Sequence, residues 1–151
     1  MTKRMWMATI SLAGLFLAIY LTLYKFGFIG RLACNVGSCE RVQTSRWSIF
    51  LGLPVATWGA GFYALMLVLT VAGLQPRFAA SRGLSLTLVV LSAWGLAFTA
   101  WLNYLEGFVI HAWCEWCIGS ATIVLLLFVF AVMDWRETGA DGEQPALEYS
   151  P

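Results

Sequence analysis

The residues of this sequence best suited to chemistry are its four cysteines, which occur as two close pairs. Cys114 and Cys117 form a Cys-Glu-Trp-Cys motif at the start of an apolar stretch that continues to Met133. Residues three apart lie on one face of a helix, and the first turn of a helix presents unpaired N–H groups and a partial positive charge. That field favours the thiolate, the form of cysteine that attacks a disulfide. The motif therefore indicates a redox pair at a membrane surface.

The other pair, Cys34 and Cys39, lies in a stretch with several glycines and an asparagine, which predicts irregular backbone. Thiol–disulfide exchange between the two pairs would carry two electrons from a soluble dithiol towards the membrane. Spacing alone leaves two other interpretations open: a pair of structural disulfides, and a zinc site made by all four cysteines. A haem site is not favoured, because the second motif is followed by Ile118 and not by histidine.

The composition places the chain in a lipid membrane. Of its 151 residues, 60% are hydrophobic and 11% are charged, whereas a soluble domain contains about 25% charged residues. A net charge of +1 gives no basic footprint for nucleic acid, so no nucleic-acid partner is expected. Four apolar segments have the length needed to cross a bilayer, and we predict membrane-spanning helices over residues 5–24, 54–74, 84–104 and 113–133.

We therefore predict an all-α integral membrane protein, with a four-helix redox domain over residues 1–133 and a disordered cytoplasmic tail over residues 134–151. The long connection after the first span is predicted to contain a short interfacial helix over residues 46–51, with Ser45 as its N-cap. Four crossings place both termini on one side and both cysteine pairs on the other. Lys3 and Arg4 next to the first span indicate cytoplasmic termini, and disulfides persist in oxidising compartments, so we expect the cysteines on the periplasmic side of the inner (plasma) membrane.

Several further side chains near the cysteines have two interpretations. His111 could shuttle protons or stabilise a thiolate, or it could be an ordinary solvated residue. Glu106 and Glu115 are interpreted as interfacial charges. Trp58 lies at the depth of the second cysteine pair, where it could line a pocket for a flat apolar ring or simply pack between helices.

The chain resembles the vitamin K epoxide reductase family over all four predicted spans. The resemblance is carried by Cys34-Asn-Val-Gly, by Cys39-Glu-Arg-Val-Gln-Thr-Ser-Arg-Trp47 and by Cys114-Glu-Trp-Cys117, in this order. It implies a four-helix bundle around a quinone, which is closed by the loop and half-helix after the first span. In bacterial members, electrons pass from a periplasmic thioredoxin-like protein to the loop pair, then to the helix pair, and then to the quinone.

The resemblance implies roles for individual residues. Cys34 would meet the partner protein, Cys39 would attack Cys114, and Cys117 would be the thiolate beside the quinone, with Ser45 capping the half-helix. The electron acceptor would be menaquinone or ubiquinone, and no metal is implied. To the quinone pocket we assign Trp58, Phe62, Leu102 and Ile110, and we add His111 because it lies three residues from Cys114.

Two departures from the family pattern refine this prediction. Vertebrate members carry an asparagine and a tyrosine where this chain has Val55 and Ala121, which favours a plain quinone over an epoxide as substrate. Many bacterial members carry a fused thioredoxin-like domain, whereas the tail from Asp134 is too short for one, so we expect a separate DsbA-like partner. We predict a quinone-dependent thiol–disulfide oxidoreductase that supports disulfide bond formation. The alternatives are a vitamin K quinone or epoxide reductase using the same cysteines, and a non-enzymatic membrane protein with structural disulfides or a zinc site.

Overall fold

The structure, a computed structural model, describes residues 2–35 and 37–141. Four of its helices are long and apolar enough to cross a membrane, which confirms the predicted all-helical membrane bundle. In chain order, the elements are α1 (Thr2–Lys25), α2 (Cys39–Thr44), β1 (Ile49–Phe50), β2 (Leu53–Pro54), α3 (Val55–Ala72), α4 (Arg82–Leu105) and α5 (Glu115–Asp141). The chain is therefore a multi-pass membrane protein.

A small cap made of α2, a 3-10 turn and the hairpin β1–β2 connects α1 to α3. The interfacial helix predicted over residues 46–51 is not formed, because only Arg46–Ser48 makes a single 3-10 turn. Leu51 and Gly52 both have positive φ, and two such residues form the tight turn that joins antiparallel strands. The chain therefore reverses at these residues, and the apolar side chain of Leu51, 77% exposed, forms the tip of the hairpin.

Ser45 does not cap a helix N-terminus as predicted. Its hydroxyl donates to the carbonyl oxygen of Val42 at 2.7 Å, and it makes no capping bond to the 3-10 turn. The reason is local, since the last carbonyls of α2 lack helical partners and the hydroxyl satisfies one of them. Ser45 therefore ends α2. Lys25 then fastens the cap to α1 by donating to the Gln43 carbonyl and the Ser48 hydroxyl, both at 2.8 Å.

The ends of the last two long helices also differ from the prediction. After α4, beyond the predicted end of the span at residue 104, the chain continues as a π-helical turn, Glu106–Ile110, and His111 ends it in the left-handed region. The helix α5 does not stop at Met133 but extends to Asp141. The predicted disordered tail is thus helical over residues 134–141, because Asp134 lies buried against α1. Residues 142–151 lie outside the described residues.

The helices are packed unevenly. The helix α1 lies against α3 and α5, and α4 lies against α5, whereas α3 and α4 contact each other little. Gly14 permits the close approach of α1 and α3, because a Cβ there would collide with the ring of Tyr63. The Tyr63 hydroxyl in turn lies 2.7 Å from the Ser120 hydroxyl on α5. A core formed in this way joins three helices and leaves a gap on the side of α4 that faces α3.

A buried arginine joins the helices at the end of the bundle that carries the N-terminus. Nε and one terminal nitrogen of Arg4 donate to the carboxylate of Asp134 at 3.0 and 3.1 Å. The other contacts are to the carbonyls of Gly73 and Phe78, at 2.7 and 3.1 Å, and to the Ser85 hydroxyl at 3.0 Å. A guanidinium has five N–H donors, so each has an acceptor, as a buried charge requires.

We expect Asp134→Ala to lower the free energy of unfolding by about 3–5 kcal/mol, because it leaves the Arg4 charge buried without its counter-ion. Thermal or denaturant unfolding in detergent measures this loss. Glu137→Ala is the matched control on the same helix, since Glu137 forms a more exposed ion pair with Lys3 and such pairs contribute about 0–1 kcal/mol. Equal losses for the two variants would contradict this interpretation of the Arg4 contacts.

Candidate redox site

The two cysteine pairs are in different redox states. Cys34 and Cys39 are joined by a disulfide, with their Cα atoms 6.2 Å apart, whereas Cys114 and Cys117 are free thiols. Cys34 is half-buried in a polar surface depression, and Cys39 is only 1% exposed. A soluble protein can therefore reach this disulfide from the Cys34 side.

Backbone contacts hold the loop disulfide against the start of α5. Gly37 pairs with Cys114 in an isolated antiparallel bridge, and the N–H of Ser38 donates to the carbonyl oxygen of Trp113 at 2.8 Å. Gly37 has a φ of 95°, and a Cβ at this position would collide with that same oxygen. The contact brings Cys39, the buried member of the loop pair, and Cys114, the buried member of the helix pair, into one buried cluster.

The two residues inside the Cys-Glu-Trp-Cys motif hold the chain on either side of Cys34. The indole N–H of Trp116 donates to the carbonyl oxygen of Ala33 at 2.8 Å. On the other side, the N–H of Asn35 donates to the carboxylate of Glu115 at 2.9 Å. Glu115 is therefore more than the interfacial charge that we predicted, because it fixes the position of the loop disulfide.

Cys114 occupies the position just before α5, and its carbonyl oxygen accepts the N–H groups of Cys117 and Ile118 at 3.1 Å. A hydrogen bond from the Cys117 thiol lowers the pKa of Cys114 to about 7. Burial acts in the opposite direction and raises this pKa, whereas N–H groups of the first turn of α5 lower it further. The hydrogen bond from Cys117 favours ionisation at Cys114, while the resemblance implies a thiolate at Cys117 beside the quinone.

Two further polar side chains contact the helix pair, and the sequence analysis missed both. The side-chain amide of Gln43 lies 3.6 Å from the Cys117 sulfur and 4.0 Å from the Cys114 sulfur. Glu106 is 3% exposed and accepts the N–H of Cys114 at 3.2 Å, so its interpretation as an interfacial charge is wrong. Two features of the sequence could have indicated these contacts. Glu106 is a carboxylate next to an apolar span, and Gln43 lies one helical turn after Cys39.

An apolar cavity of about 890 Å³ lies next to Cys117, between α1, α3, α4 and the hairpin. Of the predicted pocket residues, those that line it are Trp58, Phe62, Leu102 and Ile110, with Ser45 at the cap. His111 does not line the cavity, because the left-handed turn at this residue leaves its side chain exposed. Gln43, Glu106 and Cys117 are also in the wall, so a molecule in the cavity lies within reach of the inner sulfur.

The hairpin covers this cavity through aromatic contacts. The indole N–H of Trp58 donates to the carbonyl oxygen of Phe50 at 2.9 Å, and the two rings meet edge to face at 6.4 Å. Phe50 also packs edge to face on Phe98 of α4, at 5.7 Å. Trp58 therefore does both things that the sequence left open: it lines the pocket, and it packs against its cover.

The side chains that could bind a metal ion are not the four cysteines that the zinc alternative requires. In the part of the chain that the structure describes, one group of possible ligand atoms lies within 4.8 Å of one another: the sulfurs of Cys34 and Cys39 and a carboxylate oxygen of Glu115. The two sulfurs share a disulfide, and zinc binds the thiolate form of cysteine. The group is thus not the four-cysteine set that the zinc alternative required.

A sequence profile of the vitamin K epoxide reductase family matches residues 5–132, which include both cysteine pairs and most of all four spanning helices. The chain belongs to the vitamin K epoxide reductase family. Comparison with the curated proteins gives no match. Membership in the vitamin K epoxide reductase family makes the chain a membrane oxidoreductase, and the redox activity of that family involves disulfides and quinones.

We expect Gly37→Ala to separate the loop from α5, because the new Cβ collides with the Trp113 carbonyl. The thiols of Cys114 and Cys117 should then react faster with a maleimide, as read by mass spectrometry of the intact protein. Gly27→Ala is the control, since Gly27 also has a positive φ but open space around it. Both variants bear a backbone cost of about 1–2 kcal/mol, so equal thiol exposure in the two would argue against the collision.

The ionisation of Cys114 can be followed by the ultraviolet absorbance of the thiolate. With the loop disulfide intact, we expect a titration midpoint near pH 7, as the lowered pKa of Cys114 predicts, with the thiolate present above it. Cys117→Ala removes the thiol donor and should move the midpoint towards the ordinary cysteine value of about 8.5. Cys117→Ser keeps a hydroxyl donor and should move the midpoint less. An unchanged midpoint in Cys117→Ala would show that the hydrogen bond does not set this pKa.

Proposed function

We propose that the chain passes electrons from a soluble dithiol protein through Cys34 and Cys39, then through Cys114 and Cys117, to a membrane quinone, and so supports disulfide bond formation. The observation that supports this proposal best is the order of the four sulfurs. Cys34 is half-buried in a surface depression, Cys39 and Cys114 belong to one buried cluster, and Cys117 lines the apolar cavity.

The sulfur order allows electrons to move inward by ordinary exchange. A partner thiolate attacks Cys34 and releases Cys39 as a thiolate, and Cys39 then attacks the disulfide between Cys114 and Cys117. The second thiolate of the partner then displaces Cys34, which leaves the partner oxidised to a disulfide. The freed Cys34 thiolate attacks Cys39 in its mixed disulfide with Cys114, which restores the loop disulfide and leaves the helix pair reduced. The structure has this arrangement of redox states, with the loop pair oxidised and the helix pair reduced. In this state the helix pair is ready to give two electrons to a quinone.

The cavity suits a quinone by size and polarity. Binding sites for small molecules are largely apolar spaces of about 300–1,000 Å³ with a few polar groups, and the cavity of about 890 Å³ falls within this range. Its polar end is formed by Gln43, Glu106 and Cys117. Because α3 and α4 contact each other little, a lipid-soluble quinone such as menaquinone or ubiquinone can enter between them from the membrane.

The same site supports a proposal for the partner and the orientation. We propose a separate, periplasmic thioredoxin-like (DsbA-like) protein, which docks at the polar depression around Cys34 that Arg31, Glu40 and Arg41 help to form. The cysteine side is then the outer side of the inner (plasma) membrane, and both termini are cytoplasmic. Val55, where vertebrate members have an asparagine, adds no polar group to the cavity wall, so we propose a plain quinone and not an epoxide as the substrate.

Quinone reduction by the purified protein tests this function. Wild type supplied with a reduced thioredoxin-like protein should reduce a short-chain ubiquinone or menaquinone, and Cys117→Ser should lose this turnover because the helix pair can no longer form a disulfide. Cys34→Ser should lose turnover with the protein donor but keep part of it with dithiothreitol, which is small enough to reduce the helix pair directly. The absorbance of the quinone measures its reduction, and a gel-shift assay with a thiol reagent counts the cysteines that become oxidised.

The same variants separate this proposal from inert disulfides. A wild type that shows no quinone-dependent oxidation of any dithiol, with both quinone classes tried, would contradict the proposal. Turnover that survives in Cys117→Ser would show that electrons reach the quinone by another path. The Asp134→Ala variant serves as a control for general instability, because Asp134 lies in α5 far along the helix from the cysteines.

A further inference from the structure

Glu106 differs from the other buried carboxyl group of the membrane spans. In residues 2–35 and 37–140, the buried carboxyl side chains are those of Asp134 and Glu106. The charge of Asp134 is balanced by Arg4. Glu106 forms no ion pair with a basic residue in these parts of the chain. Burying an unbalanced carboxyl group is costly, and within a membrane such a group is by default a candidate for function.

The position of Glu106 is fixed from two directions. Its carbonyl oxygen accepts the N–H of Ala112 at 3.0 Å, which closes the π-helical turn after α4. Its carboxylate Oε2 accepts the N–H of Cys114 at 3.2 Å. The side chain is thereby held beside the first turn of α5, where Cys117 lies, and both residues line the cavity.

Glu106 is thus a buried carboxyl group beside the helix pair, and one of its oxygens is bonded to the N–H of Cys114. Cys117 and Glu106 also share the polar end of the cavity. A proton that leaves Cys117 can therefore move to Glu106, and from there to a molecule bound in the cavity, without crossing apolar space. Gln43 lies in the same wall, but an amide does not exchange a proton in this way, and its contacts serve the sulfurs.

We propose that Glu106 is a catalytic residue of this reaction, which takes the proton of the Cys117 thiol as a general base and delivers it to a quinone oxygen as a general acid. The inference rests on the proposed reduction of quinone. It assigns to one side chain the transfer of a proton that a quinone buried in the membrane cannot readily obtain from water.

The atoms and electrons balance as follows. The bond formed joins the sulfurs of Cys114 and Cys117, and two electrons leave this pair for the quinone. The Cys117 proton reaches one quinone oxygen through Glu106, which ends in its initial protonation state. The second oxygen takes a proton from water at the outer surface, which replaces the one that Cys114 lost on ionisation. The products are the helix disulfide and the quinol.

A structural role makes a different prediction from a catalytic one. If Glu106 only accepts the N–H of Cys114, the amide oxygen of glutamine can replace it, because glutamine has nearly the same shape and keeps an acceptor. If Glu106 moves the proton, glutamine must fail. Glu106→Gln therefore separates the two roles, and Glu106→Asp, which keeps the acid but shortens its reach, should retain intermediate activity.

The experiment uses pre-reduced full-length protein mixed rapidly with an excess of short-chain ubiquinone. We expect Glu106→Gln to lower the first-order rate of quinone reduction by about 10²-fold or more, the usual contribution of general acid–base catalysis. The exchange between a reduced dithiol donor and the loop disulfide should stay within about twofold of wild type, because this step does not use the quinone proton. Glu137→Gln, which changes an exposed carboxyl group of α5 far from the cysteines, should behave as wild type.

A second measurement tests the role of Glu106 without a quinone. The infrared S–H stretch of the Cys117 thiol reports its hydrogen bond, and Glu106→Gln should shift this band because a neutral amide is a weaker acceptor than a carboxylate. If wild type reduces quinone while Glu106→Gln matches its rate and leaves the band unchanged, Glu106 only caps α5 and the inference fails alone. If wild type does not reduce quinone, the proposed function and this inference fall together. Should Glu106→Gln not fold, the intermediate rate expected of Glu106→Asp provides the test.

Discussion

The backbone contact between the loop at Gly37 and the start of α5 determines the geometry of the whole redox site. Two segments far apart in the chain meet there through one bridge and the hydrogen bond from Ser38 to Trp113. Main-chain atoms make this contact, so it has the defined spacing of a β pairing and does not depend on long side chains. The order of the sulfurs follows from it, because Cys39 comes directly after the loop contact and Cys114 takes part in it.

The two ends of the helix bundle are packed differently. At the end that carries the N-terminus, Arg4 satisfies its donors on three other segments and joins the helices tightly. At the cysteine end, α3 and α4 are separated and the space between them is closed by a hairpin. Close packing at one end fixes the helices, and the separation at the other end leaves the space that we propose for the quinone.

The parts of this structure that could be predicted from sequence are those set by local pattern. Apolar runs of bilayer length predicted the spans, and counting the crossings placed the cysteine pairs on the same side. Glu106 and Asp134 were misinterpreted because burial depends on partners elsewhere in the chain: Glu106 meets the next helix, and Asp134 meets Arg4. The helix predicted after Ser45 is not formed because Leu51 adopts positive φ. Positive φ is rare for leucine, and the sequence around it does not indicate it.

The hairpin tip has a thermodynamic consequence. Leu51 is 77% exposed and Ile49 is 51% exposed, so neither gains much from contact with the rest of the protein. In a membrane protein, such apolar side chains beside a spanning helix gain their hydrophobic stabilisation from the surrounding lipid. The free-energy difference between the covered and the open cavity therefore depends in part on the contact of these side chains with lipid. The same polypeptide should hold its substrate space closed more firmly in a membrane than in a thin detergent layer.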